Sequence, residues 1–141
     1  MDIFEILIRD HKKVSEIFHQ LGSTNDQTVR EMLFLQLKEE LEIHTQIEKS
    51  IFHPALMNRN GSSRVLDKSE EYFENIRDLL SELEDIPTED RLWKRKLFEL
   101  KLNFQNHVDE EDEVFSDARH LLSRAEIEEM GMRAEEIKEW L

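Results

Sequence analysis

Apolar residues recur along the chain at alternating steps of three and four. Phe4, Leu7, His11, Val14, Phe18 and Leu21 form one such stripe, and Leu33, Leu37, Leu41, His44, Glu48, Ile51 and Ala55 form a second. A third runs through Val65, Ser69, Tyr72, Ile76, Leu79 and Leu83, and a fourth through Trp93, Leu97, Leu100, Phe104, His107, Glu111, Val114, Ala118 and Leu121. This spacing keeps each set on one face of an α-helix. Breaks fall at Gly22–Asp26, Asn58–Ser63 and Asp85–Thr88. Asp2 with Glu5, Thr28 with Glu31 and Ser123 with Glu126 have capping-box spacing, and Thr88 precedes two acids suited to the positive end of a helix. The pattern predicts helices over roughly 3–21, 27–57, 64–85 and 89–120, then a short one over about 123–140. Short connections make successive helices antiparallel neighbours. The expected fold is all-α, a single domain over 1–141: an up-down-up-down four-helix bundle (2–121) with a short C-terminal fifth helix.

Composition narrows what such a bundle does. With 3 Gly and 2 Pro in 141 residues there is no Gly-rich phosphate loop and too few turns for a β fold. Lys plus Arg number 19 against 33 Asp plus Glu, a net charge of −14, which argues against nucleic acid or an anionic membrane as partner. It favours a self-repelling monomer or small homo-oligomer. There is no Cys, so thiolate zinc sites, iron–sulfur clusters and disulfides are excluded. No apolar run approaches the ~18 residues of a membrane span, and the N-terminus lacks a signal-peptide pattern, so the expected location is cytoplasmic.

Five positions do not belong in an apolar seam. His11 interrupts the first stripe, His44 and Glu48 the second, His107 and Glu111 the fourth. Buried carboxylates are rare unless paired, and one left unpaired costs several kcal/mol. A helix turns about 100° per residue, so residues four apart point the same way about 6 Å apart along the axis. His44 and Glu48 therefore share a direction, as do His107 and Glu111. Each pair is followed three residues on by an aliphatic–Phe pair, Ile51-Phe52 and Val114-Phe115. A bound cation explains this set better than buried His–Glu ion pairs, whose desolvation is costly. Imidazole and carboxylate without sulfur suit iron, zinc or manganese, and bundle cores that collect His and Glu from facing helices hold di-metal sites.

The order Asp10-His11, then His44-x-x-x-Glu48, then His107-x-x-x-Glu111, with Ile51-Phe52-His53-Pro54-Ala55-Leu56 after the first pair, resembles the hemerythrin-like, or HHE cation-binding, domain over about residues 2–122. The resemblance implies a non-heme di-iron centre: two irons per chain bridged by Glu48 and Glu111, with His11, His44 and His107 as terminal ligands. It implies a protein that binds or senses dioxygen, nitric oxide or iron. One position departs from the pattern. The family places a His near the start of its third helix after an acidic pair, and Glu70-Glu71-Tyr72 stands there instead. Tyr72 is then a phenolate ligand to ferric iron, or a hydrogen-bond donor beside an open iron position, or the mark of a site reduced to one metal or none.

The remaining histidines lie off the seams. His19 and His120 read as surface residues, and His53, nine residues from His44, is expected about 180° around the helix and facing away. No general acid or substrate pocket is readable, so a non-enzymatic role leads. The alternatives are a redox enzyme reducing peroxide or oxygen, or a structural or partner-regulating bundle. The fifth helix, with Met130, Met132 and Trp140, is expected to dock on its own bundle.

Overall fold

The computed structural model describes residues 1–57 and 63–140, with backbone alone over 63–66. Among the described residues six α-helices follow in order: α1 (Ile3–Ser23), α2 (Gln27–Ile47), α3 (His53–Met57), α4 (Ser63–Glu84), α5 (Arg91–Leu121) and α6 (Arg124–Trp140). A single π turn, Glu48–Phe52, joins α2 to α3 without a break. No strand occurs among the described residues. α1 packs on α2, α4 on α5, and α5 returns to α1, which closes the up-down-up-down bundle. α6 lies across the outside of α1 and touches α2 and the π turn. Of the break expected at Asn58–Ser63, residues 58–62 fall outside the described residues, as does the side chain of Val65, and Ser63 already begins α4.

The helix starts follow the capping chemistry with two shifts. Asp2 Oδ1 accepts from the Glu5 N–H at 2.9 Å, and Ser123 and Glu126 cap each other at 3.1 Å. α2, however, is capped by Asp26 through the Val29 N–H, not by Thr28. α5 is capped by Asp90 through the Leu92 N–H, not by Thr88. In each case an Asp immediately before the first helical residue takes the cap, with Thr28 already inside the first turn and Thr88 two residues too early. Thr88 serves otherwise: its carbonyl accepts from buried Arg30, which also donates to the Thr24 carbonyl and Asn25 Oδ1, tying two loops together at one end of the bundle.

The apolar core is divided. One half centres on Phe18, Leu37, Leu41, Leu83, Trp93 and Phe104. The other gathers Phe4, Leu7, Ile47, Phe52, Phe115 and Met130, with Phe4, Phe52 and Phe115 meeting edge to face at 5.4–5.8 Å. Buried polar residues fall between them along each helix: Asp10 and His11 between Leu7 and Val14, His44 between Leu41 and Ile47, His107 and Glu111 between Phe104 and Phe115.

The π turn alters one expectation. An α-helix continued through 57 would put Ala55 inside and turn His53 outward. In the structure Leu56 is buried, Ala55 is half-buried, and His53 is only 7% exposed. The physical cause is Pro54. In an α-helix its ring would collide with the Ser50 carbonyl, four residues back, and it has no N–H to donate. Widening the turn relieves this and absorbs one residue, so His53 returns to the inward face. The expected outward His53 is thereby corrected, whereas His19 and His120 are exposed as expected.

α6 docks through Met130 and Ala134, while Met132 and Trp140 stay 65% and 87% exposed. Of the three residues expected at the dock, Met130 alone is buried there. Gly131 is the closest approach: a Cβ on it would run into the Met1 carbonyl and the Asp2 backbone. Gly22 has open space around it. Gly131→Ala should therefore cost about 1–3 kcal/mol through overpacking, whereas Gly22→Ala should be neutral or stabilise by up to about 1 kcal/mol. Urea melts of the two variants side by side test this; equal effects would contradict the packing of α6 on the N-terminus.

Candidate metal centre

Three bundle helices deliver one polar cluster. His11 comes from α1, His44 from the last turn of α2, Glu48 from the start of the π turn, and His107 and Glu111 from α5. All five are buried, Glu48 completely. His11, His44, Glu48 and Glu111 offer ligand atoms that lie within 4.8 Å of one another. His107 Nε2 stands 3.2 Å from Glu48 Oε2 and 3.4 Å from Glu111 Oε1. Five of the six residues expected from the sequence are thus brought together.

The two carboxylates lie between imidazoles. Glu48 turns Oε1 to His44 Nε2 at 2.7 Å and Oε2 to His107 Nε2 at 3.2 Å. Glu111 Oε1 sits 3.0 Å from His11 Nε2 and 3.4 Å from His107 Nε2. The His11–Glu111 and His107–Glu48 contacts are hydrogen bonds, but they leave part of the cluster unsatisfied. Glu48 Oε1, although close to His44, has no hydrogen-bond partner, and neither has Glu111 Oε2. The Nε2 atoms of His11 and His44 face each other at 3.1 Å. Buried polar atoms are nearly always satisfied. Imidazole nitrogens and carboxylate oxygens converge here with part of the oxygens unsatisfied, which is what a cation would use, so the donor set fits a metal.

Electrostatics agrees. Burial alone would lower the His44 imidazole, but Glu48, Asp10 and Glu111 overcome it and raise its pKa well above the ordinary value. His107, pulled down by burial and pushed up by Glu111 and Glu48, rises to about 10. Glu111, despite burial, is held well below the usual carboxylate range by His107, Glu48 and His11. Without metal, two imidazolium protons balance the two carboxylates. A divalent cation supplies the same charge and displaces them.

Tyr72 takes another place. Its ring lies flat on His107, 3.8 Å between centroids and 3° between planes. Burial, then the charges of Glu48 and Glu111, raise its phenol well above the ordinary value, which keeps it protonated beside the metal-free cluster. On the opposite wall His11 stacks on Phe115 at 6.0 Å. Glu71 and Glu74 are exposed, off the seam as expected.

Two residues beyond the expected set are buried near the cluster. Buried Asp10 approaches His44 Nδ1 with Oδ2 at 3.8 Å and accepts from Lys138 Nζ of α6 at 2.5 Å. Burial works against the Asp10 carboxylate, yet His44 and Lys138 outweigh it and hold its pKa below the ordinary Asp value. At 3.8 Å the Asp10–His44 approach is a charge contact and not a hydrogen bond, and both Asp10 Oδ2 and His44 Nδ1 lack a hydrogen-bond partner; a carboxylate behind a histidine still favours the charge and orientation of the ring. The second residue is His53, turned inward by the π turn. Its signal in the sequence was Pro54, inside an otherwise helical run.

The hemerythrin HHE cation-binding domain pattern matches residues 2–119. A DNA nickase from Nostoc sp. (strain PCC 7120) is 26% identical over 130 residues, which cover 92% of this chain and 37% of that protein. The chain therefore spans little more than a third of that relative's length. The crystal structure of a hemerythrin HHE cation-binding domain-containing protein from Mycobacterium kansasii matches with a TM-score of 0.85 at 23% identity, covering 99% of this chain and 87% of that one. At that identity the likeness is one of fold.

Two outcomes are expected from this geometry. Groups with raised pKa, such as His44 and His107, stabilise the metal-free fold fully below their unfolded value near 6.5, and this is lost as pH rises through their folded values, about 10 for His107. Glu111, with its pKa depressed, contributes above its unfolded value near 4.5 and loses that as pH falls. Denaturant melts of the metal-free chain should show greatest stability between about pH 5 and 6.5; a profile flat to pH 9 would contradict the assigned protons. Lys138→Met should lower stability by about 1–3 kcal/mol and metal affinity about 10–100-fold, read by melts and by chelator competition. Unchanged affinity would remove Asp10 and Lys138 from the centre.

Proposed function

Since the chain belongs to the hemerythrin HHE cation-binding family, we propose that its buried cluster holds two iron ions and that the protein binds or senses dioxygen or nitric oxide there. The observation that carries this is Glu48, whose two oxygens face imidazoles from different helices, His44 and His107. A carboxylate so placed suits a bridge between two ions. His11 and His44 would then hold one iron and His107 the other, with Glu111 as the second bridge. Iron, when bound, supplies an open coordination position and the electrons that a diatomic ligand draws on.

The protein's own part is positioning and exclusion of water. Phe104 and Phe115 flank His11, and Tyr72 covers the face of His107. In this reading Tyr72 is not a ligand; its stacked ring holds His107 in orientation. A groove between α1 and α5, bounded by Ile8, Lys12, Val108 and Asp112, has His11 in its lining and offers a short route for a small ligand. The name of the Nostoc relative points to DNA. A chain carrying −14 charges disfavours a phosphate backbone, however, and covers 37% of that protein, so nicking is not part of the proposal.

Loading the chain anaerobically with Fe(II), desalting and counting metal tests the reading: about two irons per chain are expected. Glu48→Ala should lose most of both. Exposure to air should then give an absorbing adduct that reverses under inert gas. Turnover of peroxide well beyond one equivalent per site would instead favour a redox enzyme, and no retained iron would dismiss the proposal.

A further inference from the structure

Under the two-iron reading the cluster is lopsided. His11 and His44 serve one position, whereas the other has His107 as its single imidazole among the five residues so far assigned. The residue expected to supply the second nitrogen is Tyr72, and its ring is committed to a flat stack on His107.

The π turn brings another imidazole to that side. The His53 N–H donates to the Glu48 carbonyl, closing a five-residue turn in place of a four-residue one. Residues joined this way sit one above the other on a helix face, as i and i+4 do in an α-helix. His44, Glu48 and His53 therefore form one column pointing into the bundle. Counted as an unbroken α-helix, His53 would be about 180° from His44; with one residue absorbed the difference falls to about 80°. The ring is buried rather than solvated, packed on Phe52 at 5.9 Å and on Phe73 at 5.6 Å, and Phe73 in turn touches His107 at 5.9 Å. Burial outweighs the charges of Glu48, Glu111 and Glu70 and, with His107, keeps its pKa below the ordinary value. Phe73, packed on both His53 and His107, puts His53 on the His107 side of the carboxylates.

We propose that His53, carried inward by the π turn at Glu48–Phe52, is the second imidazole ligand at the His107 position, and that it replaces the nitrogen lost where Tyr72 stands. The helix that supplies the ligand has changed, from α4 to the segment after α2, while the donor count at that position is kept. Pro54 is part of the device, because it forces the wide turn that presents His53.

The inference rests on the two-iron reading, and the test separates the two. Wild type, His53→Phe, His53→Gln and Tyr72→Phe are loaded anaerobically with Fe(II), desalted and assayed for iron, with helix content followed by circular dichroism. Wild type and Tyr72→Phe should hold about two irons per chain, and both His53 variants about one. Phe at position 53 keeps the apolar packing against Phe52 and Phe73, and Gln keeps a polar group; if one variant fails to fold, the other gives the reading. Cobalt(II) loading supplies an independent signature: loss of the His53 nitrogen should change the visible bands of one of two ions. Two irons retained by both His53 variants, with unaltered cobalt spectra, would overturn the His53 assignment and leave the two-iron reading intact. Loss of one iron from Tyr72→Phe, with both His53 variants at two, would assign the ligand to Tyr72. One iron or none in wild type would overturn both readings.

Discussion

Removing Glu48 and Glu111 from water costs several kcal/mol apiece unless cationic or hydrogen-bonding groups surround them, and most of the unusual features of this bundle trace to that cost. Three imidazoles from α1, α2 and α5 are aimed at the two carboxylates, whose charges raise the pKa of His44 and His107, while His107 lowers that of Glu111. The apolar core is split into two clusters around this layer. Aromatic rings close it on both sides, Phe104 and Phe115 against His11 and Tyr72 against His107. Low local polarity strengthens each charge contact, and the same low polarity makes the unsatisfied oxygens a standing demand for a cation.

Two irregular features serve the layer. The π turn is locally unfavourable, since it opens the helix and loosens its packing, and such turns concentrate at functional sites. Here it begins at Glu48 itself. It lets one helical segment present His44, Glu48 and His53 in a column, which an α-helix of the same sequence would not do. Pro54 makes the wide turn the less strained choice.

The C-terminal helix belongs to the same system. α6 covers α1, its Gly131 lies against the N-terminus, and Lys138 reaches buried Asp10 behind His44. The charge on Asp10 is tolerable because Lys138 neutralises it from one side and His44 approaches it from the other. The pattern of the cation-binding domain ends at residue 119, before α6 begins, yet the outer support of His44 depends on that helix.

Periodicity by itself determined much of this protein. Steps of three and four fixed which faces turn inward, scarce Gly and Pro fixed few breaks, and His-x-x-x-Glu in two seams marked the buried polar layer, because an α-helix imposes one direction on residues four apart. The lack of Cys and the excess of acid set the donor chemistry. What an ideal helix does not encode was decided by tertiary structure. The burial of His53 follows from a π turn that shifts the phase by one residue, which period counting treats as constant. The flat stack of Tyr72 on His107 depends on α4 meeting α5, and the Lys138–Asp10 pair joins residues 128 apart in the chain. Contacts of that kind depend on how helices pack against one another, and a single helix's sequence contains no record of its neighbour's position.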